Sequence, residues 1–121
     1  MKPFFALAGS GLVLTLLAAA PTLAEDAISI PLPAGVTADT IDADYDCSGT
    51  SVKVHYINAG DVHLATLAFD DQFMVASEAI AASGARYVSG FYVWWTKGND
   101  ATLYDLRKGE GDPGIVCKGA S

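Results

Sequence analysis

The sequence predicts an all-β protein, a small antiparallel β-barrel of about eight strands closed by one disulfide. Three observations predict it. From Tyr45 onward, short runs in which apolar and polar residues alternate are broken every few positions by Gly, Asn, Asp or Pro, the pattern of strands joined by hairpins. No amphipathic helical repeat of useful length interrupts them. The only two cysteines, Cys47 and Cys117, stand near the start and end of this region, and in an oxidising compartment such a pair is most simply a disulfide. About seven or eight short strands in roughly 80 residues must cover both sheet edges, for which a closed barrel is the economical solution and a two-layer sandwich the second choice. The disulfide would then join first and last strands, neighbours in a closed meander. Closing a loop of about 70 residues stabilises a fold by roughly 4 kcal/mol on the chain-entropy account, a large share of a net stability of about 5 to 15 kcal/mol.

The N-terminus has Lys2, an apolar run from Phe4 to Ala20 broken only by small residues and Thr15, and then Pro21-Thr22-Leu23-Ala24 before Glu25. A charged start, an apolar middle and a small-residue cleavage site are the layout of a secretory signal peptide, expected over residues 1–24. The alternative, an uncleaved membrane anchor, is disfavoured because the run is short for a span of about 20 residues and Pro21 precedes a good cleavage site. The expected product is exported to the periplasm and soluble, and no cysteine follows the proposed cut to carry a lipid anchor. All 14 acidic residues lie beyond Ala24 while Lys2, one of the seven basic ones, is lost, so the mature charge is −8. Such a balance argues against a nucleic-acid partner. It would draw in a cationic protein, or serve solubility alone.

Residues 25–40 hold Pro31, Pro33 and Gly35 with little periodicity and are expected to be an arm or linker ahead of a barrel domain over residues 41–121. Val52, Val54 and Tyr56 alternate with Lys53 and His55, one face inside and one in solvent, and Asn58-Ala59-Gly60-Asp61 supplies a turn. His63 to Phe69 is the next strand, with Ala65, Leu67 and Phe69 on one face; Asp70-Asp71 is a two-residue connection into Phe73-Met74-Val75. Glu78 to Ala82 is Ala-rich and stays undecided between a helical turn, a short strand and a loop. Arg86 to Val88 and Phe91 to Thr96 read as strands hinged at Ser89-Gly90, Lys97-Gly98-Asn99-Asp100 as a tight turn into Ala101 to Leu106, and Arg107 to Gly114 as a surface loop before Ile115-Val116-Cys117.

Most chemical motifs are missing. Asp42, Asp44 and Asp46 imitate a calcium loop, but Cys47 stands in place of its glycine and Lys53 where a bidentate Glu is needed, so a solvated acidic strand is the better reading. His55 and His63 flank a turn and would approach each other across a hairpin, yet two imidazoles without a third ligand make a weak metal site. No metal or cofactor is expected. Ser83-Gly84 lacks the setting of a nucleophile elbow, and an enzyme is the least supported class. The segment Phe91 to Thr96 is more informative, because Phe91, Val93 and Trp95 share one face and Tyr92, Trp94 and Thr96 the other. At least one aromatic set must lie outside a small barrel, as a contact surface that leaves homodimerisation open, or with Trp94 packed under the N-terminal arm.

Tyr45-x-Cys47, the segment Ser83-Gly84-Ala85-Arg86-Tyr87, the turn Trp95-Thr96-Lys97-Gly98 followed by Ala101 and Leu103, and the late Cys117 together closely resemble the bacterial inhibitors of c-type lysozyme, the membrane-bound and periplasmic MliC/PliC group. The resemblance covers about Tyr45 to Cys117. It implies an eight-stranded antiparallel barrel with a disulfide, which agrees with the strand count, and c-type lysozyme, a basic protein, as partner. It implies that the loop carrying Ser83, Gly84, Arg86 and Tyr87 enters the lysozyme cleft and that Thr96, Lys97 and Gly98 form a second contact. Many relatives carry another serine where this chain has Ala81, and lipid-anchored members begin with a cysteine where this chain has Glu25. A periplasmic barrel that binds a small apolar or peptidoglycan-derived ligand, inside or on the Trp94 face, is the alternative from another class.

Overall fold

The computed structural model describes residues 3, 8–22 and 25–120, and in it the run of hairpins closes on itself. The strands are β1 (Ala38–Cys47), β2 (Thr50–Ala59), β3 (Val62–Phe69), β4 (Gln72–Ala79), β5 (Ala85–Ser89), β6 (Tyr92–Lys97), β7 (Asp100–Asp105) and β8 (Ile115–Gly119). Each pairs antiparallel with the next and β8 returns to β1, so the expected barrel forms, the sandwich does not, and no strand edge is left open. Cys47 and Cys117 face each other across the β1–β8 register and are joined as a disulfide.

The chain divides into two units, Met1–Ile30 and Pro31–Ser121. The described residues of the first carry neither helix nor strand, and no helix among the described residues is long and apolar enough to cross a membrane. The expected cut after Ala24 falls at residues outside the described ones.

Several boundaries differ from the sequence expectation, each for a local reason. β1 begins at Ala38, inside the stretch expected to be an arm, and its first half is exposed on both faces while paired along its length to β2. Period-two patterning cannot reveal such a strand, because neither face is buried. Asn58 and Ala59 continue β2, which shrinks the next turn to Gly60-Asp61. Glu78 and Ala79 end β4, leaving residues 80–84 as the connection to β5. Phe91 belongs to the β5–β6 turn rather than to the outward face of β6, and the Arg107 guanidinium stacks 3.7 Å from its ring centre. Leu106–Lys108 forms a 3₁₀ turn capped by the Asp105 carboxylate.

The interior is filled by side chains from every strand, with Trp94, Leu67, Val52 and Cys117 the largest fully buried ones. Trp94 therefore lies at the centre of the barrel, neither exposed as a contact surface nor packed under the arm. Its neighbours explain how one small barrel holds so many rings. Tyr45 meets Trp94 edge to face at 4.9 Å between ring centres, the arrangement favoured by ring quadrupoles. Trp94 Nε1 donates to the Tyr56 hydroxyl at 2.9 Å, which shares a further 2.9 Å hydrogen bond with the Tyr45 hydroxyl. Burial, reinforced by Tyr45, holds the Tyr56 phenol far above its ordinary pKa, so the hydroxyl stays protonated.

Replacing Tyr56 by phenylalanine keeps the ring but strands the Trp94 N–H in an apolar interior, which costs about 2 kcal/mol. Urea unfolding should show a lower midpoint at an unchanged slope. An unchanged midpoint would mean that Trp94 finds another acceptor.

Candidate functional site

Antiparallel strands alternate in direction, so the β2–β3, β4–β5 and β6–β7 connections emerge at one end of the barrel. Ser83 and Gly84 close the β4–β5 connection, while Gly98 and Asn99 form the β6–β7 turn. The β5–β6 register pairs Ala85 with Thr96, which brings the residue before Ala85 against the residue after Thr96. The contact is close: a Cβ built on Gly84, at φ +66°, would stand 2.1 Å from the Thr96 carbonyl oxygen and 3.0 Å from Lys97 Cγ. Only glycine allows the backbones to meet this way. The Ser83 and Lys97 segments thus form one continuous surface.

Trp95 braces both. Its Nε1 donates to the Ser83 carbonyl at 2.8 Å, and the Lys97 ammonium lies 5.2 Å from its ring centre, within the range of a cation–π contact. Thr96 Oγ1 donates to the Ala85 carbonyl at 3.3 Å, adding a second tie between the strands. Gly98, at φ +59°, occupies the left-handed position that a two-residue turn between Lys97 and Asp100 requires. Trp95 was missed as a positioning residue by motif reading, although its place on the outward face of β6, two residues before Lys97, was a usable signal.

Lys97 pairs in register with Asp100, but that carboxylate is taken by the Lys118 ammonium at 2.8 Å and by the Gly119 N–H at 3.4 Å. The Lys118 hydrogen bond holds the Asp100 carboxyl below its ordinary range. Among the described residues no carboxylate lies within 4.0 Å of Lys97 or of Arg86. Lys97 therefore offers an uncompensated positive charge at this end of an acidic molecule.

The other residues of the segment divide by strand face. Arg86 sits opposite Trp95 on the outward side. Tyr87 is buried at 6% exposure within the core and its ring lies 5.6 Å from that of Tyr56. Burial, with the nearby Glu78 charge adding to it, raises its pKa. The resemblance places Tyr87 on the loop that enters the cleft, but its ring faces inward, the position of a residue that holds the loop from the barrel side.

The histidines do not meet. His55 bonds Asp42, whereas His63 bonds Asn58 at 2.7 Å, because register sets His55 opposite Thr66 and His63 opposite Asn58. Asp42, Asp44 and Asp46 lie along β1, with Asp46 accepting from the Gly49 N–H at the following turn. Among the described residues no cluster of three or more His, Cys, Asp or Glu side chains is arranged to hold a metal ion.

Comparison with known proteins agrees with this barrel. Residues 45–111 match the family described as membrane-bound lysozyme-inhibitor of c-type lysozyme. A relative from Pseudomonas aeruginosa, named membrane-bound lysozyme inhibitor of C-type lysozyme, is 45% identical over 92 residues, 74% of this chain and 72% of its own length. One of the same name from Cupriavidus necator is 42% identical over 67 residues, 54% of each chain. The crystal structure of Pseudomonas aeruginosa MliC in complex with hen egg white lysozyme superposes with a TM-score of 0.69 at 38% identity, covering 81% of this chain and all of that one. With the superposed barrel and the matched span in agreement, the chain belongs to the family of membrane-bound lysozyme inhibitors of c-type lysozyme.

Proposed function

We propose that this protein inhibits c-type lysozyme, with the Ser83 loop and the Lys97 turn entering the active-site cleft together and blocking peptidoglycan hydrolysis. The observation that carries the reading is the meeting of Gly84 with Thr96 and Lys97, which joins two separate sequence segments into one surface. Glycoside hydrolysis of this kind uses two carboxylates flanking the scissile bond. A hydroxyl from Ser83 and an ammonium from Lys97 suit that target, because hydrogen bonds to a carboxylate gain strength when the donor is charged. Sugar is excluded while the plug is seated, and the protein is an inhibitor without turnover of its own. Thr96, Gly98 and Tyr87 hold the protrusion in shape, and Arg86 contributes a charge beside it.

The acidic remainder of the chain suits a basic enzyme, acting on the association rate and weakening with salt. In this reading residues 1–24 direct export, residues 25–37 lead into the barrel and residues 38–121, which include the whole of β1, form the inhibitory domain. The curated relatives are named membrane-bound, whereas here Glu25 follows the expected cut, so we place this protein in the periplasm as a soluble member. The alternative of a small apolar or peptidoglycan-derived ligand, inside the barrel or on the Trp94 face, has no support, since Trp94 is buried and packs with the tyrosines in the interior.

The Ser83→Ala, Lys97→Ala double variant should inhibit hen egg white lysozyme at least tenfold more weakly, about 1.4 kcal/mol, with its thermal unfolding unaltered. Unchanged inhibition by a folded double variant would remove the site.

A further inference from the structure

We infer that Ile80 is the apolar anchor of this plug, seated on binding against the hydrophobic wall beside the catalytic carboxylates of a c-type lysozyme; the inference rests on the inhibitory reading above. Ile80 is 98% exposed, and it opens the same connection that Ser83 and Gly84 close. Single exposed aliphatic residues are ordinary on protein surfaces. The position of this one is what distinguishes it: it stands three residues before Ser83, on a connection fixed at its far end by the Trp95 bond to Ser83 and by the collision that any side chain at Gly84 would cause. Val62, half exposed at the start of β3, lines the same open hollow as Ile80 and Gly84. Ile80 and Val62 are thus the two large apolar side chains around a hollow that Asp61, His63, Ser77 and Glu78 otherwise line with polar groups.

The chemistry of the partner supplies the matching surface. A glycosidase of this kind keeps its catalytic acid protonated near neutral pH by setting that carboxyl against an apolar wall. A plug that reaches the carboxylates with Ser83 and Lys97 brings the rest of its connection next to that wall. Isoleucine suits the position, because its β-branch restricts χ1 before binding and its burial removes aliphatic surface from water. Nothing in the fold needs the side chain, so its removal reports on binding alone.

The test measures association and dissociation of hen egg white lysozyme with the wild type, Ile80→Ser, Ile80→Leu and the Ser83→Ala, Lys97→Ala variant, at low and high salt. Ile80→Ser is expected to weaken binding at least tenfold, almost wholly through faster dissociation. The loss should be equal at both salt concentrations, since no charge is involved. Ile80→Leu should stay within about threefold of the wild type, with unfolding temperatures of all Ile80 variants unchanged. Binding of Ile80→Ser within twofold of the wild type, while the Ser83 and Lys97 variant is impaired, overturns the anchor and leaves the plug standing. A wild type that fails to bind this lysozyme removes the inhibitory reading and the anchor with it.

Discussion

Gly84→Ala is expected to lower inhibition of c-type lysozyme about a hundredfold, roughly 2.8 kcal/mol, although it adds one methyl group and removes no functional side chain. The added Cβ would stand 2.1 Å from the Thr96 carbonyl oxygen, a backbone atom held in the β6 ladder with β5 and β7. Neither strand can yield without losing hydrogen bonds. The cheaper response is for residues 80–84 to swing away from Lys97, which separates the two halves of the plug and breaks the Trp95 bond to Ser83. Some stability goes too, since alanine is strained at φ +66°. Gly90→Ala is the matched control. Gly90 also has a left-handed φ, +56°, but a Cβ there meets nothing within 4 Å and the residue lies in the β5–β6 turn, at the other end of those strands. It should share the strain and keep full inhibition. Equal inhibition by Gly84→Ala and Gly90→Ala would show that close approach at residue 84 does not position the site.

The second large effect concerns stability. Replacing Cys47 and Cys117 together by alanine should lower stability by about 4 kcal/mol, because the unfolded chain regains the freedom that a link across 70 residues removes. At about 4 to 8 °C per kcal/mol for a domain of this size, the thermal midpoint falls by about 20 °C. The wild type unfolded in reductant should converge on the same value. Both cysteines are buried, at 4% and 0% exposure, and alanine leaves their surroundings apolar, so the loss comes mainly from the chain rather than from packing. Inhibition measured well below the new midpoint should persist, since neither cysteine belongs to the β4–β5 connection or the β6–β7 turn. A loss below about 1 kcal/mol would mean that the unfolded chain without the link keeps residual structure that already confines it, contrary to the entropic account.

The local parts of the fold were legible because their causes are local. Alternation in Val52–Tyr56 and Ala65–Phe69, the Asp70-Asp71 and Gly98-Asn99 turns and the late Cys117 each follow from backbone preferences over a few residues. The early start of β1 was not legible, since its ladder to β2 is made by backbone groups while Ala38 to Asp42 remain in solvent. Trp95 was equally hidden as a brace, because its acceptor, the Ser83 carbonyl, is 12 residues away and is brought near only by pairing.

By itself the sequence determined the class and order of the strands, the cysteine pair that closes them and the segments around Ser83 and Lys97 that mark the family. Only the tertiary structure decided which aromatic face turned inward. The alternation of Tyr92 to Lys97 is symmetric between the two faces, and barrel closure, with Tyr56 supplying an acceptor for the indole N–H, put Trp94 inside and Trp95 outside. It also decided that the Ser83-Gly84 and Lys97 segments share one end and meet there, because the register that sets Ala85 against Thr96 exists only once β5 and β6 have paired.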